Sequence, residues 1–166
     1  MLGRLSRWLR LLGCETYYYR NSSDSELLQR AKEDSLILLT CDVQLYRAAI
    51  ARSVECFLVE GTNEPERLAH LALRFSLELN IDTETSRCPS CGSRIQSVEK
   101  MKIASRIPPA TFKLYQSFWI CTNASCTKVY WRGSHWKRIE ETLENARLIL
   151  ESKQREGKEK TPISIP

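Results

Sequence analysis

In the opening stretch "MLGRLSRWLRLLG", the apolar residues Leu2, Leu5, Trp8, Leu9 and Leu12 recur at three- and four-residue spacing. They share one face of a helix, and Arg4, Arg7 and Arg10 step round the other side. "CETYYYR" follows, rich in aromatic and β-branched residues, and reads as a strand. "DSELLQRAKED" returns to helical spacing with Asp24 placed to cap it, and "SLILLTC" is a short continuous apolar strand. Helical "VQLYRAAIAR", strand-like "VECFLVE" and the longer helical run "NEPERLAHLALRFSLEL", with Glu64 and Pro65 at its start, complete the first half. Strands alternating with helices predict βαβ units, and uninterrupted apolar strands predict a parallel sheet covered on both faces. A leading strand would normally precede the opening helix in such a fold.

Near "NIDTETSR" the periodicity stops. From Cys88 to about Trp131 the chain is punctuated by Cys, Pro, Gly and Ser, with little helical period. Helical spacing resumes in "HWKRIEETLENARLILESKQREGKEK", where Ile139, Leu143, Ala146 and Leu150 mark one face with Leu148 to its side. The expected organisation is an α/β unit over 1–80, a cysteine-bearing unit over 86–136, a helix over 137–155 and a disordered polar tail over 156–166.

Composition narrows the class. The 166 residues are 42% hydrophobic, enough for a core, yet no apolar run approaches a membrane span. The opening helix lacks the apolar centre and cleavage site of a secretory signal. A net charge of +5 permits a polyanionic partner without demanding one. Seven cysteines, four of them in two close pairs and Cys14, Cys41 and Cys56 scattered, fit a metal site plus buried thiols better than a secreted disulfide framework. The expected compartment is the cytoplasm.

The paired cysteines are Cys88-x2-Cys91 and Cys121-x4-Cys126. Four thiolates in two short loops suit tetrahedral zinc, and Gly92 fits the turn after the first pair. With all four positions filled by sulfur, the zinc would be structural. His135 is a further candidate ligand or base. Tyr130, Trp131, Arg132, His135, Trp136, Lys137 and Arg138 interleave rings and cations, as surfaces for single-stranded nucleic acid do; packing of the ribbon onto the rest of the chain would use the same rings.

A reaction centre in a parallel α/β sheet sits at the carboxyl ends of the strands. "LILLTCD" delivers Asp42 there, and Asp24 and Glu26 at the start of the second helix could converge on the same edge. Carboxylates holding Mg2+ or Mn2+ with waters can activate water for attack on a phosphodiester. Helix capping is the alternative use of Asp42. The sequence carries no nucleophilic serine motif, phosphate-cradling glycine loop or dinucleotide fingerprint.

In order, "MLGRLSRWLRLLG", "SDSELLQRA", "LILLTCD", the paired cysteines and "VYWRGSHWKR" resemble the Mut-seven C-terminal RNase family, PIN-like nuclease domains fused to a zinc ribbon. The resemblance runs from Met1 to about Leu143. It implies a PIN-like α/β fold and a metal-dependent endoribonuclease whose acids match Asp42, Asp24 and, more weakly, Glu26, with Cys88, Cys91, Cys121 and Cys126 as the ribbon ligands. Two departures stand out. The family's "TRD" reads Thr40-Cys41-Asp42, and the strand with an aspartate that the family carries before this point is not in the sequence. Either the true start lies upstream and restores that acid, or a catalytically impaired RNA-binding or ribosome-binding module is the alternative expectation; a toxin-like protein neutralised by a partner is a third.

Overall fold

The computed structural model describes residues 2–159. The elements run α1 (Gly3–Leu11), α2 (Asp24–Glu33), β1 (Leu38–Thr40), α3 (Val43–Ala51), β2 (Cys56–Leu58) and α4 (Glu64–Phe75). The second half holds β3 (Ile95–Val98), a 3-10 helix (Lys100–Arg106), α5 (Pro109–Leu114), β4 (Phe118–Cys121), β5 (Val129–Tyr130) and α6 (Ser134–Glu159). The chain is mixed α/β, as its alternating pattern predicts.

β1 and β2 pair in parallel, Leu38 opposite Cys56, Leu39 opposite Phe57 and Thr40 opposite Leu58, with α3 as the crossover. Successive strand side chains leave on opposite faces. Leu38 and Cys56 therefore join a core of Leu28 and Ala31 from α2 with Leu45, Ala49 and Val54. Leu39 and Phe57 enter the larger core on the other face, built from Leu5 and Leu9 of α1, Leu68, Leu71 and Ala72 of α4, Leu79, and Leu143 and Ala146 of α6. Two parallel strands thus separate two helical layers.

The expected face of the last helix is borne out: Leu143 and Ala146 are buried, Ile139 and Leu150 partly so, while Leu148 is 56% exposed. The helix begins at Ser134, earlier than expected, and residues 156–159 of the expected tail continue it; residues 160–166 lie outside the described residues. Arg147 Nη1 donates to the Leu79 carbonyl at 2.6 Å, tying α6 to the segment after α4. No helix among the described residues is long and apolar enough to cross a membrane.

Three local expectations are corrected. "CETYYYR" forms no strand. Its Thr16 carbonyl serves Arg10 of α1, Tyr17 and Tyr18 are exposed, and Arg30 lies 4.7 Å over the Tyr19 ring. Asp24 is not the cap of α2: Ser23 is, accepting from the Glu26 N–H, while Glu26 accepts from the Ser23 N–H at 2.8 Å in a capping box. The run after Asn63 does not stay helical to Leu79. It stops at Phe75, with Ser76 left-handed at φ 52°, and Leu77 and Leu79 reach the core from a loop.

Around the cysteine pairs, β3, β4 and β5 form an antiparallel sheet in that order, Ile95 opposite Cys121 and Trp119 opposite Tyr130. The long separation of the pairs holds the 3-10 helix and α5. Ile103 and Ile107 from this insertion pack on Phe118, so the ribbon has a small apolar core besides its cysteines.

α6 being part of the larger core has a measurable consequence. Leu143→Ala is expected to cost about 2–5 kcal/mol of stability, whereas Leu148→Ala should stay within about 0.5 kcal/mol. Chemical denaturation followed by circular dichroism checks both values.

Candidate functional site

The four cysteines converge. One sulfur from each of Cys88, Cys91, Cys121 and Cys126 lies within 4.8 Å of every other, the one such cluster of potential ligands among the described residues. Cys88 and Cys126 are 3.7 Å apart at sulfur and Cys91 and Cys121 are 3.4 Å apart, near the roughly 3.8 Å separation of sulfurs on tetrahedral zinc. Beside the isolated Arg87–Arg94 bridge the Cys88 N–H donates to the Ser93 carbonyl, and Gly92 turns at φ +83° between the first pair and β3. In the second knuckle the N–H groups of Cys126 and Thr127 both reach the Asn123 carbonyl.

The thiols respond to one another. Burial opposes ionisation of Cys91, but hydrogen bonds from Ser93 and from the Cys121 and Cys88 thiols bring it below the usual thiol range. Burial pushes Cys121 up, the Asn123 backbone opposes, and the neighbouring sulfurs reinforce the rise. Crowded sulfurs cannot all carry charge without a cation, so the cluster is chemically suited to hold a metal ion. Tyr130 Oη lies 3.0 Å from Cys88 Sγ and would donate to it as a thiolate.

Arg10 binds this knuckle to α1. The residue is only 7% exposed; Nε donates to the Thr16 carbonyl at 3.0 Å, and Nη1 to the carbonyls of Pro89 and Ser90 at 3.2 and 3.3 Å. Pro89 and Ser90 are the two residues inside Cys88-x2-Cys91. Gly92 is needed for space as well as for its turn, since a Cβ there would stand 3.2 Å from Arg10 Nε. The terminal carbonyls of α1 are met from the same side: Arg87 N–H donates to Arg10 and Ser86 Oγ to Leu11. The sequence pattern places Arg10 with Arg4 and Arg7 on the polar side. The clue it holds is Ser6, four residues earlier and buried on the same stripe.

Asp42 follows β1, at the carboxyl end of the parallel pair, and is the N-cap of α3. Its Oδ1 accepts from Gln44 N–H at 2.7 Å and Leu45 N–H at 3.1 Å, and its own N–H donates to Thr40 Oγ1 at 2.9 Å. Asp24 is exposed in the first turn of α2, and Glu26 is engaged with Ser23. Hydrogen bonds from the Ser23 backbone and side chain hold the Glu26 carboxyl below its ordinary range. Asp24, Glu26 and Asp42 do not close into a three-ligand cluster.

The aromatic-basic segment divides. Trp131, Arg132 and Trp136 line a cavity of about 420 Å³ between α1, the ribbon and the start of α6. Arg4, Arg7 and Trp8 of α1 and Trp119 of β4 line it too. His135, Lys137 and Arg138 are exposed and lie outside that lining, Lys137 within 4.0 Å of Glu141. His135 takes no part in the cysteine cluster. Sequence reasoning left Arg4 and Arg7 undecided and had no signal for Trp8 or Trp119, because their neighbours come from distant parts of the chain.

No curated protein and no solved structure matches the chain. A family model described as the Mut7-C RNAse domain matches residues 1–143, which include α1, the small parallel sheet, the cysteine cluster and the first turns of α6. The chain belongs to the Mut7-C RNAse domain family.

Proposed function

We propose that this chain acts on RNA as a metal-dependent, PIN-like endoribonuclease, hydrolysing phosphodiester bonds with Mg2+ or Mn2+ near Asp42. The observation that carries the reading is the family match over residues 1–143. The position of Asp42 at the end of a parallel strand, where such sheets bind ligands, supports it. Asp24 is the second candidate ligand and Glu26 a helper. Carboxylate oxygens suit a hard cation, and one or two of them suffice where RNA phosphates and waters complete the shell. A divalent ion bound there would make its water a better nucleophile at neutral pH. Asp42 would offer Oδ2, since Oδ1 is held by the amides of α3.

In this reading the α/β unit of 1–80 carries the acids, and the ribbon of 86–136 is braced by structural zinc on Cys88, Cys91, Cys121 and Cys126. α6 closes the larger core. The ribbon and the start of α6 contact RNA through Trp131, Arg132 and Trp136, with His135, Lys137 and Arg138 along the exposed margin. Four zinc-bound cysteines with Cys14, Cys41 and Cys56 as free thiols fit a cytoplasmic setting.

A second reading keeps RNA or ribosome binding and drops the cutting. It is favoured by one observation: Asp42 and Glu26 already serve as caps, and the three acids form no ligand cluster.

The acids give a direct test. Asparagine caps a helix as well as aspartate, so Asp42→Asn keeps α3 intact while removing the charge. Incubation of single-stranded RNA with Mg2+ or Mn2+ should show cleavage by the wild type and a loss of at least about 100-fold in Asp42→Asn. Equal cleavage by both rejects Asp42. Salt-sensitive binding without turnover favours the second reading.

Zinc makes a separate prediction. Native mass spectrometry should find one zinc per chain, lost in Cys88→Ser and Cys121→Ser. Chelation should unfold the ribbon while the helices of the larger core persist. Arg10→Met should speed zinc loss to a chelator by removing the cation that binds the first knuckle.

A further inference from the structure

We infer that the groove between α1 and the ribbon is a cradle for an unpaired nucleotide of single-stranded RNA, its base among the tryptophans and its phosphates on Arg4 and Arg7. This deepens the reading of the chain as RNA-acting and rests on it. The chain has four tryptophans, and all four (Trp8, Trp119, Trp131 and Trp136) line this one groove, each only partly buried. Rings serving the core alone would be covered. Arg4 and Arg7 stand one turn apart on α1, exposed at its edge. Arg132 lines the same groove with its guanidinium 4.7 Å from the Trp136 ring centroid and 5.9 Å from that of Trp119. No Asp or Glu is among the lining residues, and Glu140 accepts a hydrogen bond from Trp136 Nε1 at 2.5 Å beside them.

These features select among ligands. Three guanidiniums outnumber the one acid, Glu140, held on a lining ring and so favour an anion, and planar rings beside them favour a planar partner. A nucleotide uses both. A helical protein partner would meet cations where an apolar slot is needed, and an acidic peptide would leave the rings uncovered. A cavity of about 420 Å³ is within the range for small ligands. A duplex keeps its base faces stacked inside and offers none to such a slot. Gly133 belongs to the device. A Cβ at this position would stand 2.6 Å from Trp131 Nε1, so only glycine lets that indole lie against the turn into α6. Asp24, Glu26 and Asp42 are not in the lining, so the cradle would hold the strand apart from the acids.

Because every tryptophan of the chain is in the groove, intrinsic fluorescence reports on it. The zinc-loaded full chain would be titrated, without divalent ions, with a single-stranded oligoribonucleotide of about eight residues. The same strand annealed to its complement is the comparison. The expected result is saturable quenching by the single strand and at least tenfold weaker binding of the duplex. Arg4→Ala combined with Arg7→Ala should weaken binding about tenfold or more and flatten the salt dependence by about 1.4 in log–log slope. Gly133→Ala should reduce both affinity and quenching while circular dichroism stays unchanged; if that variant misfolds, Arg132→Gln serves instead. Equal binding of the duplex, indifference to the arginine substitutions, or quenching by polyglutamate but not by RNA overturns the cradle. Asp42-dependent cleavage without quenching overturns the cradle and leaves the nuclease reading standing. Quenching without cleavage does the reverse.

Discussion

The buried guanidinium of Arg10 is the joint on which the architecture turns. A cation removed from water is tolerated only when its donors are answered. Here three carbonyls answer it, one from the loop after α1 and two from inside the first cysteine knuckle. A zinc ion held by four thiolates would carry net negative charge, so the guanidinium also sits where a positive charge is favoured. Ser86 and Arg87 satisfy the end of the same helix as the chain enters the ribbon. α1 is thereby fixed at once to the larger core through Leu5 and Leu9 and to the ribbon through Arg10.

That double attachment shapes everything proposed for the surface. The groove has one wall on α1 and the other on β4 and the start of α6, so its width depends on the joint. The antiparallel ribbon alone would present Trp119 and Trp131 to water, and α1 alone would present Arg4 and Arg7. Held together, they become a surface in which charge and aromatic planes face one another. In the proposed reading, the metal cluster and the acids would divide the labour by donor chemistry. Sulfur, partly buried and crowded, suits a structural ion; the exposed oxygens of Asp24 and Asp42 suit a hard ion shared with a ligand.

The larger core also explains why the ribbon is an insertion and not an appendage. The chain leaves the α/β layers after Leu79, makes the ribbon, and returns as α6 to lay Leu143 and Ala146 on α4. A segment distant in sequence thus completes the layer begun by α1 and α4. The parallel pair is only two strands wide, and burial on both faces by helices supplies what a wider sheet would gain from its own neighbours.

Much of this was written locally in the chain. The stripes Leu5–Leu9 and Leu143–Ala146, the continuous apolar run ending at Thr40, and the cysteine spacing determined the helix faces, the buried strand and the metal cluster, because each depends on residues within a few turns or one short loop. The strand reading of "CETYYYR" failed because strand-forming residues need a partner edge, and none lies beside them. The 3-10 helix and α5 escaped notice because one or two turns carry too little period to stand out. Ser23 displaced Asp24 as cap through a one-residue difference that only the backbone path resolves. Only the tertiary structure decided that Arg10 turns inward and that four tryptophans meet across one groove. Their environments are set by the approach of segments some eighty to one hundred and thirty residues apart, and no local spacing encodes that approach.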